Sequence, residues 1–167
     1  NGKYGGALSF DGVDDYVEIP ETSLLDPRTS DFTVEAWIKT SSTADWIVIS
    51  KWDGWGSGNA WWLGNDWYGG SQHLRFAVYC PTMNWAENTT AVVSDGKWHH
   101  MAGVREGGTL KLYIDGVLAG TKVACAGVDV NNNLPVRIGK FGEPGGWHFN
   151  GTIDEVRIYK RALSPEE

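Results

Sequence analysis

Positive charge is in short supply in this chain. Lys and Arg number 14 against 21 Asp and Glu, a formal net charge of −7 over 167 residues. Nothing basic is available to neutralise a phosphate backbone, so nucleic acid is not an expected partner. Long apolar runs are also missing: no stretch approaches the roughly 20 residues of a membrane helix, and membrane insertion is not expected. The opening Asn1-Gly2-Lys3-Tyr4 carries no signal-peptide pattern. Cysteine is reduced to Cys80 and Cys125, neither in a C-x-x-C nor in a Cys/His cluster, which argues against zinc or thioredoxin-type chemistry. Helical periodicity is scarce, and only the residues from Lys160 onward read as a short helical turn. No G-x-S-x-G elbow supports a serine nucleophile.

Tryptophan and glycine are plentiful, at 10 and 22 residues. Hydrophobic residues at 41% and charged residues at 21% describe a folded domain. A chain of this length buries roughly two-thirds of its surface around one core. Phe32-Thr33-Val34-Glu35-Ala36-Trp37-Ile38-Lys39 alternates with period two, placing Phe32, Val34, Ala36 and Ile38 on one face of a strand. Segments 46–51, 74–79, 98–104, 110–114, 117–123 and 152–159 read the same way. Asp115-Gly116 is a two-residue type I′ hairpin loop. Strands at this density imply an all-β domain of two packed antiparallel sheets, a β-sandwich. Residues 52–70 break the rhythm with five Trp, one Tyr and six Gly, a composition that favours loops and short strands.

Five segments in register carry a resemblance: 7–17 (ALSFDGVDDYV), 32–38 (FTVEAWI), 95–102 (DGKWHHMA), 112–116 (LYIDG) and 149–164 (FNGTIDEVRIYKRALS). Together they resemble a bacterial laminin-G-like, concanavalin A-like jelly-roll domain. The resemblance implies a β-sandwich used as an accessory module of a larger secreted or cell-surface protein, binding sugars or, in some members, proteins. It specifies fold better than ligand. The expected secreted setting favours a Cys80–Cys125 bridge over two separate buried thiols.

Strand parity suggests a metal site. If Val156 and Ile158 face the core, Asp154 enters it too, and a buried carboxylate is costly unless paired or bound to a cation. First and last strands usually pair in this fold, which makes Asp11 in the Phe-Asp-Gly turn a neighbour. Asp11, Asp154 and the turn carbonyl at Gly12 then form an oxygen-only set suited to Ca²⁺, and similar domains carry calcium there. Asp14 and Asp15 are possible additional ligands. The alternative is that Asp154 caps backbone amides while Asp11 merely forms its turn.

The related sandwich glycosidases use Glu-x-Asp-x-x-Glu on one strand face. That pattern is absent, Asp154 and Glu155 point to opposite faces, and no enzymatic activity is expected. His99 and His100 read as core or cross-strand hydrogen-bonding residues, and Trp37 and Trp98 as packing residues. Of the adjacent Trp61 and Trp62, one faces in and one out. Sugar rings present apolar C–H faces that stack on indoles, beside polar groups that fix orientation. The expected glycan-binding residues are Trp52, Asp53, Trp55, Asn59, Trp67 and Tyr68, joined by Trp85 and Trp147 from other turn-rich segments, with Asn65 and Asp66 interleaved. The partner is then a polysaccharide or other glycan, neutral by preference because no Lys or Arg clusters near these loops. A protein-recognition or adhesion role for the same Trp-rich surface is the alternative.

Overall fold

Two six-stranded antiparallel sheets face each other in the computed structural model, which describes residues 2–52, 59–68, 71–142 and 146–167, with Trp67 and Tyr68 as backbone only. The strands among the described residues are β1 (Leu8–Asp11), β2 (Val17–Ile19), β3 (Phe32–Lys39), β4 (Trp46–Lys51), β5 (Trp61–Tyr68), β6 (Ser71–Tyr79), β7 (Met83–Asn88), β8 (Trp98–Glu106), β9 (Thr109–Ile114), β10 (Val117–Val123), β11 (Val136–Ile138) and β12 (Asn150–Tyr159). The first sheet runs β1-β12-β3-β8-β9-β10 and the second β2-β11-β4-β5-β6-β7. This is the expected β-sandwich. The helical turn falls elsewhere than expected: a 3-10 turn at Ser23–Leu25 is capped by the Thr22 hydroxyl, while residues 160–167 hold turns without a helix.

The period-two pattern of β3 places Phe32, Val34, Ala36 and Ile38 in the core, each essentially inaccessible to water. From the second sheet Trp46, Trp61, Leu63, Leu74, Phe76 and Val78 meet them. At Gly103 on β8 a Cβ would lie 2.2 Å from the Phe76 ring, so only glycine lets the sheets approach here. Asp115 and Gly116 both have positive φ, at 51° and 76°, as the type I′ loop between β9 and β10 requires.

Charged groups inside the sandwich are paired or hydrogen-bonded. Lys51 and Asp26 form a buried ion pair. Arg105, 1% exposed, donates to the carbonyls of Arg28, Cys125 and Val128 at 3.1, 2.7 and 2.7 Å. Cys80 and Cys125 are bonded with their Cα atoms 5.1 Å apart. The bridge ties the turn after β6 in the second sheet to the segment after β10 in the first.

Of the register shifts in β4, β10 and β12, the last bears on the expected metal site. In β12, Ile153 pairs with Ile38 and Asp154 with Trp37, but Arg157 then pairs with Glu35, so one extra residue is inserted. Glu155 sits in this β-bulge with φ 51°. The insertion flips alternation: Val156 and Ile158 pack on the core as expected, but Asp154 shares the outer side with Trp37.

Candidate binding faces and an acidic turn

The expected calcium trio is not assembled. Asp11 pairs with Asn150 across β1 and β12, which puts Asp154 four positions further along, roughly 13 Å at strand rise. Asp154 instead caps amides: Oδ2 accepts from Lys3 N at 2.7 Å and Tyr4 N at 3.1 Å, and Oδ1 from Glu155 N at 2.9 Å. The Tyr4 amide, then those of Glu155 and Lys3, hold its carboxyl below the usual range against the opposing effect of burial. Asp154 is therefore corrected as a partner of one site with Asp11, while Gly12 stays beside Asp11 in its turn. Asp11 does approach Asp14 and Asp15, with carboxylate oxygens within 4.8 Å of one another on the surface. The Asp11 carboxylate accepts from Val13 N at 2.8 Å and Asp14 N at 3.3 Å, and Gly12 supplies the turn with φ 80°.

On the outer face of the first sheet, Glu35 is 8% exposed amid His100 at 3.5 Å, the Tyr159 hydroxyl at 3.3 Å and Arg157 at 3.6 Å. Burial pushes the His100 imidazole below its ordinary value. The neighbouring His99 bridges Asp115 at 2.8 Å and Asp95 at 3.1 Å. Burial opposes its charged form, yet these two carboxylates outweigh it and raise the imidazole. Both histidines thus make the cross-strand contacts expected of them. Terminal segments drape over this face. Lys3 Nζ stands 4.1 Å from the Trp37 ring centroid, Tyr4 packs edge-on at 6.1 Å, and Leu163 N donates to Thr33 Oγ1 at 3.0 Å.

The outer face of the second sheet carries a separate aromatic cluster. Trp61 points into the core and Trp62 outward, resolving the adjacent pair. Outward from β4 and β5, Trp52 stacks on Phe141 at 5.3 Å, Trp62 meets Phe141 edge-on at 5.9 Å, and Trp147 stacks on Phe141 at 4.9 Å. A cavity of about 390 Å³ opens beside them, lined by Trp62, Asp66, Arg75, Met83, Trp85, Phe141 and Trp147. That size is within the range of small-ligand sites. Arg75 on β6 joins Asp66 of β5 and, through Nε at 2.5 Å, Glu87 of β7, with its guanidinium carbon 4.6 Å from the Trp85 ring centroid. Burial would raise Glu87, but hydrogen bonds and charge from Arg75 and His73 dominate and hold its carboxyl low.

Of the expected binding residues, Trp85 (38% exposed) and Trp147 border this cavity. Trp52 is 1% exposed and serves as a supporting layer under Phe141, a correction that follows from its outward position being roofed by the chain around Phe141. Asn59 is exposed, but its carbonyl accepts from Asn132 Nδ2 at 2.7 Å and it does not line the cavity. Asn65 is structural, donating to Ala44 O and accepting from His73 N. Trp67 and Tyr68 pair with Gln72 and Ser71 at the end of β5. Asp53 and Trp55 lie outside the described residues. Sequence reasoning missed Arg75, Glu87 and Phe141; the one signal was a charged residue on the polar side of the alternating β6.

Residues 11–167 match the family described as the concanavalin A-like lectin/glucanases superfamily. Among solved structures the fold is similar to domain 4 of an extracellular GH43 arabinanase from Geobacillus stearothermophilus, in complex with arabinotriose (23% identity, TM-score 0.70, 99% of this chain and 75% of that one). It is also similar to the CBM40 of a Ruminococcus gnavus IT-sialidase bound to α2,3 sialyllactose (18%, 0.69, 92% and 94%). A third is mouse laminin α1 domains LG4-5 (15%, 0.69, 95% and 44%), of which this chain spans less than half.

Proposed function

This chain belongs to the concanavalin A-like lectin/glucanase superfamily, and from that premise we propose that it is a non-catalytic carbohydrate-binding module whose glycan site is the aromatic cavity on the second sheet. The observation that carries this reading is three indoles, Trp62, Trp85 and Trp147, walling one cavity with Asp66 and Arg75 beside them. Indole faces take the C–H side of a pyranose or furanose ring, and the polar pair orients its hydroxyls. The site lacks glycosidase logic. A general acid needs a raised carboxyl pKa, whereas Glu87 is held low and Asp66 is paired with Arg75.

Titration of intrinsic Trp fluorescence with a polysaccharide and oligosaccharide panel tests this. A saturable shift lost in Trp85→Ala supports the reading, and silence across the panel with the fold intact overturns it. The alternative of a protein-recognition module draws on the Trp85–Arg75 pair, since exposed Trp and Arg dominate binding hot spots; a silent panel moves weight to it.

The proposal includes an extracellular setting, supported by the Cys80–Cys125 bridge, and attachment to a larger protein. It also includes calcium. Asp11, Asp14 and Asp15 would hold the ion, because three carboxylates form the hard oxygen set it prefers. Thermal melts with calcium and with chelator check this: an unchanged midpoint removes calcium from the account.

A further inference from the structure

Resting on the glycan reading of the same cavity, we propose that the site takes uncharged sugars and rejects carboxylated ones, and that Asp66 and Glu87 set this selectivity by occupying Arg75. A guanidinium on a cavity wall is ordinarily an anion receptor, with a planar fork that matches a carboxylate. Here two of its five N–H groups are already engaged and two carboxylates balance its charge. Nη1 donates to Asp66 and Nε to Glu87, while the Trp85 ring lies over the guanidinium. All three charged side chains are largely withdrawn from water, at 12%, 23% and 28% exposure for Arg75, Asp66 and Glu87. The trio carries a formal charge of −1, and no other Lys or Arg borders the cavity among the described residues.

A sialic acid or uronate carboxylate entering between the indoles would meet the Asp66 carboxylate beside a guanidinium whose charge Asp66 and Glu87 already balance. Repulsion of this kind is strong where walls exclude water. A sugar hydroxyl faces no such conflict, since it can donate to Asp66 and accept from Arg75 at once.

Matched pairs test the proposal by calorimetric titration: lactose with 3′-sialyllactose, galactan with galacturonan oligosaccharides, and plain with glucuronate-substituted xylo-oligosaccharides. The wild-type chain is expected to bind the neutral member of the pair it recognises at least roughly tenfold tighter. The double variant Asp66→Asn with Glu87→Gln frees Arg75, and the acidic member then gains roughly tenfold or more. Should that variant fail to fold, Glu87→Gln alone shifts preference the same way, and added salt narrows the wild-type gap by screening the repulsion. Equal or tighter binding of the acidic member by the wild type overturns the selectivity while leaving the glycan site standing. Binding of no member of any pair removes the glycan reading and the selectivity together.

Discussion

Each outer face of this sandwich presents an indole with a cation over it, and the origin of the cation separates their roles. On the first sheet Trp37 lies under Lys3, which arrives from the N-terminal segment anchored by Asp154. On the second sheet Trp85 lies against Arg75 from the adjacent strand. The draped segment covers part of the Trp37 ring, which borders a cavity of about 720 Å³ with Tyr4, Glu35 and His100. A neighbour within the sheet adds its charge from the side and leaves Trp85 38% exposed above a cavity.

The largest expected effect comes from the link between the two sheets. Replacing Cys80 and Cys125 by Ser should cost about 4 kcal/mol for a loop of this separation. Chemical denaturation measures it, and a loss below about 1 kcal/mol means the faces are held in place without the bridge. Next is the contrast between the indoles. Trp85→Ala should weaken glycan binding by about 2 kcal/mol or more, roughly 30-fold, while Trp37→Ala leaves affinity unchanged. Equal losses would erase the distinction between the faces.

A smaller effect concerns the cover on the first face. Asp154→Asn should speed hydrogen exchange at the Lys3 and Tyr4 amides roughly fivefold to tenfold. Acid should likewise lower the protection of these amides in the wild type, once the intrinsic slowing of exchange by acid is divided out. Because the folded carboxyl titrates below the ordinary aspartate value of 3.8, its contribution is complete above that value and is lost as pH falls through the lower folded one. Exchange rates that ignore both changes would show the segment held by other contacts.

The smallest effect should appear at adjacent residues of β8, by NMR titration. His99 should titrate above 6.5 and His100 below it. Raised in the fold, His99 stabilises fully below 6.5 and loses that contribution as pH climbs through its folded value. His100, lowered, has the opposite linkage: stability falls as pH drops below 6.5 toward its folded value. Reversal of this order would relocate burial on that face.

Alternation made the fold legible. The expected bounds of β3, β4 and β10 coincide with those observed, and in β3 the core face of Phe32, Val34, Ala36 and Ile38 fixes parity and register. The candidate site was legible only in part. Trp85 and Trp147 stand out as indoles in turn-rich segments, but the segment of Trp85 forms β7 rather than a turn. The Arg75 cluster depends on cross-strand register joining residues 66, 75 and 87, which no local pattern reveals. The expected joining of Asp154 to Asp11 failed on register, which sets Asp154 four positions from the partner of Asp11, and on the Glu155 bulge. A glutamate at positive φ has no sequence signature, and one inserted residue turned Asp154 from the core to the outside.

The placement of Lys3 and Leu163 on the same side of the molecule has a directional consequence. Both chain ends emerge behind the first sheet, so anything fused or anchored at either one leaves from the back, with the indole-lined hollow pointing outward. Immobilising the domain by its N-terminus or by its C-terminus should therefore preserve access to a long polymer equally well, as a lamp keeps its beam when mounted from behind.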